Sequence, residues 1–192
     1  MSDPITLSVV GTAVLTEGVK FLYNQAAEVL KLWMKRREAK AAQMPAEETE
    51  EVPVKLPDAF EGDLTQPKVH FDAVAELEGQ VRELRRDLGD LVDGLASLEG
   101  HQDLYLHKID ALRQCLEAVY QQRLTFKGEQ RPSSGPVVKG KINIKEVAGY
   151  VAAVRAKSIE SGQVRAEVTA ERVKKEAAAV GLEVDTIGGK TR

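Results

Sequence analysis

One apolar ladder steps alternately four and three residues through the middle of the chain: Leu77, Val81, Leu84, Leu88, Leu91, Leu95, Leu98, Tyr105, Ile109, Leu112, Leu116 and Val119. Its single polar interruption is Gln102. Heptad spacing gathers these side chains on one stripe of a helix, and an unbroken helix of this span would be about 65 Å long at roughly 1.5 Å per residue. Gly79, Gly89, Gly94 and Gly100 each weaken a helix interior by about 1 kcal/mol relative to alanine, so packing has to hold the segment. The expected break is Leu98-Glu99-Gly100-His101, with glycine as a left-handed cap, a new helix beginning near Gln102, and a hairpin near residue 100. With Val81, Leu88 and Leu95 at the a positions, none of the flanking g-to-e′ pairs is a complementary ion pair. Val92, Leu106 and Tyr120 instead widen the apolar stripe, which favours a bundle over a long homo-oligomeric coiled coil.

A second stripe, Leu15, Val19, Leu22, Ala26, Val29 and Trp33, predicts a helix that starts at Asp3-Pro4 and runs to about Ala42. Residues 43–68 carry Pro45, Pro53, Pro57 and Pro67 around an acidic run, the pattern of a mobile linker without a core. The heptad segment spans 69–127, and a Gly/Pro/Ser-rich linker covers 128–137. Beyond it, from 138 to 192, the period changes toward two: Ile142 and Ile144, then Val164, Ala166, Val168 and Ala170, then Val180, Leu182 and Val184.

The tail also echoes itself. Ile144, Val147 and Val154 recur as Ala170, Val173 and Val180, and Ile159 before Gly162 recurs as Ile187 before Gly188. Two such units bury little alone, but stacked rungs do so within or between chains. Two short helices near 145–156 and 169–180 give the same spacing, and strands are preferred. The expected fold class is therefore mainly α: a helical bundle or coiled coil with a long N-terminal helix and a small β-rich, solenoid-like tail.

Charge narrows the function. With 27 Lys plus Arg against 30 Asp plus Glu and a net charge of −3, bulk electrostatics does not draw the chain to nucleic acid. Met1-Ser2-Asp3-Pro4 lacks the basic start of a secretory signal, and the charge-free stretch from Ile5 to Thr16 is too short to cross a bilayer. The lone Cys115 is compatible with a reducing compartment, and the expected location is the cytoplasm, with peripheral contact at the membrane. No catalytic, cofactor or metal constellation is present: His70, His101 and His107 share no i, i+4 spacing, and Cys115 has no visible base.

The suggestive chemistry is the end of helix one, where Lys35, Arg36, Arg37 and Lys40 follow Trp33. An aromatic anchor beside a basic collar suits an anionic membrane surface, and a cationic helix C-terminus suits an ordinary bundle equally. Leu15, Val19, Leu22 and Trp33 are the candidates for lipid insertion or helix docking, with the collar supplying attraction. Val147, Val154, Ile159, Val173, Val180 and Ile187 are the candidates for tail assembly.

In layout alone, the apolar helix at Ile5–Trp33 and the paired motifs at Ile144–Gly162 and Ala170–Gly188 resemble the fungal HeLo-domain effectors and their bacterial Bell-domain analogues. That resemblance implies templated stacking of the tail and membrane action by the first helix. The expected function is a non-enzymatic, self-associating scaffold or effector with peripheral membrane contact and no cofactor. The alternative is a soluble adaptor whose heptad segment grips a partner protein's helix.

Overall fold

A computed structural model describes residues 10–45, 47–98, 102–147, 150–159, 163–175 and 177–187. The chain divides into two units, Met1–Ser134 and Gly135–Arg192.

In the first unit, helix α1 (Thr12–Ala41) precedes strands β1 (Thr49–Glu51) and β2 (Lys68–His70). Helices α2 (Phe71–Val92) and α3 (Gln102–Tyr120) and the short strand β3 (Gln122–Arg123) complete it. The heptad ladder does not form a rod. Helix α2 stops at Val92 because Gly94 takes a left-handed φ of +75°, while the Asp93 and Leu95 N–H groups donate to the carbonyls of Gly89 and Asp90. Leu95 thus falls beyond the helix and is 80% exposed. The break comes earlier than the expected glycine cap, and residues 99–101 lie outside the described ones.

Helix α3 then runs back along α2. Lys108 near its start meets Asp87 near the end of α2 at 2.6 Å, and Cys115 and Ala118 share a cavity wall with Leu77 near the start of α2. Val81, Leu84 and Leu88 on α2 and Ile109, Leu112, Leu116 and Val119 on α3 are buried, as are Leu15, Val19, Leu22, Ala26 and Val29 on α1. Leu95 apart, the ladder is thereby consumed inside one unit.

The acidic segment expected to lack a core contributes to this one. Its β1 pairs antiparallel with β2, and Leu56, Ala59 and Phe60 are buried. Phe60 bridges to Phe126 with ring centroids 4.7 Å apart and meets Phe21 edge-on at 5.1 Å. Phe126, fully buried, lies against Gly18 of α1, where no side chain intervenes.

The second unit holds β4 (Gly135–Val147), β5 (Tyr150–Ile159), β6 (Gln163–Val173) and β7 (Ala178–Ile187). Strand β4 pairs in parallel with β6 at a constant offset, Val137 opposite Gln163 through Val147 opposite Val173. Strand β5 pairs in parallel with β7, Tyr150 opposite Ala178 through Ile159 opposite Ile187. Each β4–β5 or β6–β7 pair is one rung, and the second rung lies on the first.

Among the described residues, three helices and several small sheets make this a mixed α/β chain, which corrects the expectation of a mainly helical bundle or coiled coil. Two physical causes account for the difference. Gly94 ends the seam, and 135–187 spends its alternating apolar residues on parallel ladders rather than helix faces.

Candidate functional site

The end of α1 is held against α2. The Trp33 indole N–H donates to Glu78 Oε2 at 2.7 Å, and the ring stacks on Phe71 at 6.3 Å. Arg82 Nε donates to Glu78 Oε1 at 3.0 Å, and Arg37 approaches the same carboxylate at 3.8 Å. The Trp33 and Arg82 hydrogen bonds favour the ionised form and hold the Glu78 carboxyl below its ordinary value. Arg36 lies over the Phe71 ring, 4.5 Å from its centroid, and is buried. Of the basic collar, Lys35, Arg37 and Lys40 are exposed. Leu15, Val19 and Leu22 face the core, so all four apolar docking candidates are engaged within the first unit.

The sequence reading overlooked Glu78 and Phe71. The only signal for them was their place opposite the Trp33 stripe, which becomes visible once α1 and α2 are known to pack.

On α3, Arg113 is buried between two acids. Its Nη1 donates to both carboxylate oxygens of Glu129, at 2.7 and 2.8 Å, and its Nη2 pairs with Asp110. Glu129 Oε2 also accepts the Phe126 N–H at 2.8 Å, the Thr125 N–H donates to Ser134 Oγ, and the Thr125 hydroxyl donates to the Pro132 carbonyl. This set cinches the segment 124–134 onto α3. No spacing rule in the sequence announces it.

A cavity of about 420 Å³ between α2 and α3 is lined by Leu77, Gln80, His107, Asp110, Gln114 and Cys115, among others. Burial pushes the Cys115 thiol up to about 11, so it stays protonated and unreactive near neutrality. His70 exchanges a contact with Gln121 at 3.2 Å, and His101 lies outside the described residues. Among the described residues, no group of three or more His, Cys, Asp or Glu side chains is placed to hold a metal ion. No described helix is long and apolar enough to cross a membrane.

In the second unit the ladder register brings Val147 opposite Val173 and Ile159 opposite Ile187, with Val147, Ile159 and Ile187 described by backbone alone. Val154 lies opposite Leu182 and Val180 opposite Ala152, because the β6–β7 connection is longer than the β4–β5 connection. Val154 and Val180 are half-buried, and Val173 is 47% exposed. A Cβ on Gly181 would stand 3.1 Å from the Ala166 carbonyl oxygen, so β6 and β7 approach closely there.

Charges bridge the rungs. Arg155 Nε donates to Glu183 Oε2 at 2.6 Å, and the Tyr150 hydroxyl donates to the same oxygen at 2.6 Å. Glu146 of the first rung meets Lys174 at 2.8 Å and Arg172 at 3.7 Å in the second.

No protein-family model, curated protein or solved structure matches the chain.

Proposed function

We propose that the chain is a non-enzymatic self-associating protein whose C-terminal unit adds to the same unit of other copies, rung upon rung. The observation that carries this reading is the unfinished state of the rung pair. Among the described residues the outer edges of β5, β6 and β7 carry no strand, and no described apolar side chain from Val137 onward is fully buried. Parallel ladders leave slanted N–H and C=O groups along each edge, and repeat stacks gain stability from further repeats or a cap. A second copy can supply backbone partners to these open edges and apolar cover to the rungs.

The adaptor alternative lacks comparable support, since the heptad positions it needs, Leu95 apart, pack into the core of the first unit. Membrane contact through α1 also lacks it, because Trp33 is bonded to Glu78 and stacked on Phe71.

The test compares sedimentation of the full chain with that of Val168→Pro, which removes a ladder donor from the middle of β6. The full chain forms large, concentration-dependent particles and the variant does not. A spin label at Thr169, an exposed β6 position, then reports the geometry. Head-to-tail stacking of two-rung units places identical labels roughly 9.6 Å apart, twice the strand spacing of about 4.8 Å. A full chain that remains a single molecule at every concentration, or particles unchanged by the proline, would end the proposal.

A further inference from the structure

Arg36 is 9% exposed, and its Nε and Nη1 are buried with no hydrogen-bond partner. The Phe71 ring covers one face of the guanidinium at 4.5 Å, a cation–π contact that supplies charge stabilisation but no acceptor. Unsatisfied buried donors on a cation are unfavourable, and a ligand that satisfies them recovers what folding left unmet. Arg36 also lines a cavity of about 280 Å³, together with Lys35, Glu47, Thr49, Glu50 and Phe71. Neither Glu47 nor Glu50 forms an ion pair with Arg36 among the described residues.

We propose that this cavity binds a small molecule through a singly charged carboxylate held by the Arg36 guanidinium. A carboxylate bridges a guanidinium along the Nε–Nη2 edge or the Nη1–Nη2 edge, and each edge contains one of the two unsatisfied nitrogens. Thr49, half-buried at the cavity wall, brings a hydroxyl that can donate to the same anion. Glu47 and Glu50 set the charge of the ligand. The wall's two cations and two carboxylates balance, so Glu47 and Glu50 oppose the second charge of a phosphate dianion, or the dense charge of an anionic lipid surface, more than the single charge of a carboxylate.

The site contains its own reporter, because Trp33 is the only tryptophan and stacks on the Phe71 ring that carries Arg36. Full-length protein titrated with acetate at constant ionic strength, against chloride, shows a saturable change in tryptophan emission. Inorganic phosphate gives a weaker response. Arg36→Lys keeps the charge but loses the planar donor set, and weakens acetate binding on the order of tenfold, equivalent to about 1.4 kcal/mol. If that variant loses its helical circular dichroism, Glu50→Gln replaces it, and acetate then binds more tightly because a like charge has gone. No saturable response to acetate, phosphate binding above acetate, or an affinity indifferent to the substitution used overturns the proposal.

Discussion

Gly18→Ala puts two opposing terms in direct competition. Within a 30-residue helix, alanine in place of glycine contributes about 1 kcal/mol through backbone propensity alone. At this position the new methyl would lie 2.8 Å from Phe126 Cδ1 and nearer still to Cε1, closer than carbon atoms approach without displacement. The ring has little room to retreat. It is fully buried, packs on Phe60 at 4.7 Å and carries the Arg113 guanidinium 5.8 Å from its centroid.

Overpacking of a rigid core site destabilises by about 1–3 kcal/mol, and this geometry belongs at the upper end. The net loss expected is therefore about 2 kcal/mol, a fall in thermal midpoint on the order of 4–8 °C for a unit of this size. Urea unfolding followed by Trp33 emission measures it. Phe126→Leu, itself destabilising, makes space, and in that background Gly18→Ala becomes neutral or favourable. A single Gly18→Ala variant more stable than the parent would refute the reasoning, since propensity would then outweigh a contact that the packing says cannot form.

Acid should loosen the α1–α2 contact: Glu78 is held below its ordinary value of 4.5, so its stabilising contribution is full above that value and disappears as pH falls through the lowered one. Glu78→Gln removes this part of the acid limb of stability, as read by Trp33 emission, and superimposable limbs for parent and variant would contradict the assignment. Glu129→Ala leaves Arg113 with Asp110 alone and the Phe126 N–H without its acceptor; a loss near 3 kcal/mol is expected in urea unfolding, and a loss below 1 kcal/mol would show the pair to be dispensable.

The periodic parts of this chain were legible and the punctuation was not. The stripes from Leu15 to Val29 and from Ile109 to Val119 do face a core, because helix geometry fixes which residues share a face. Which glycine ends the ladder depended on backbone conformation, which the letter does not carry: Gly94 adopts the left-handed conformation that caps α2. Proline and acid around 45–67 read as a linker without a core, yet Phe60 is buried there because Phe21 and Phe126 offer it a pocket assembled from distant sequence. In the tail, the recurrence of Ile144 and Val147 as Ala170 and Val173 coincides with the β4–β6 register, whereas the Val154 and Val180 echo is displaced by the longer connection before β7. The unsatisfied Arg36 was read only as one member of a basic run, since burial of a cation leaves no mark in the letters around it.

The ion pairs between the two rungs bear on direction. Glu146 and Arg155 belong to the first rung, while Lys174, Arg172 and Glu183 belong to the second, so acids and bases exchange places from one rung to the next. A newcomer arriving with its first rung against an exposed second rung repeats every one of these attractions. One arriving inverted, second rung against second rung, offers Glu183 no Arg155 and Lys174 no Glu146, so these attractions are lost. Any filament built from such units therefore has two chemically different tips, and the preference between them fades as salt is raised.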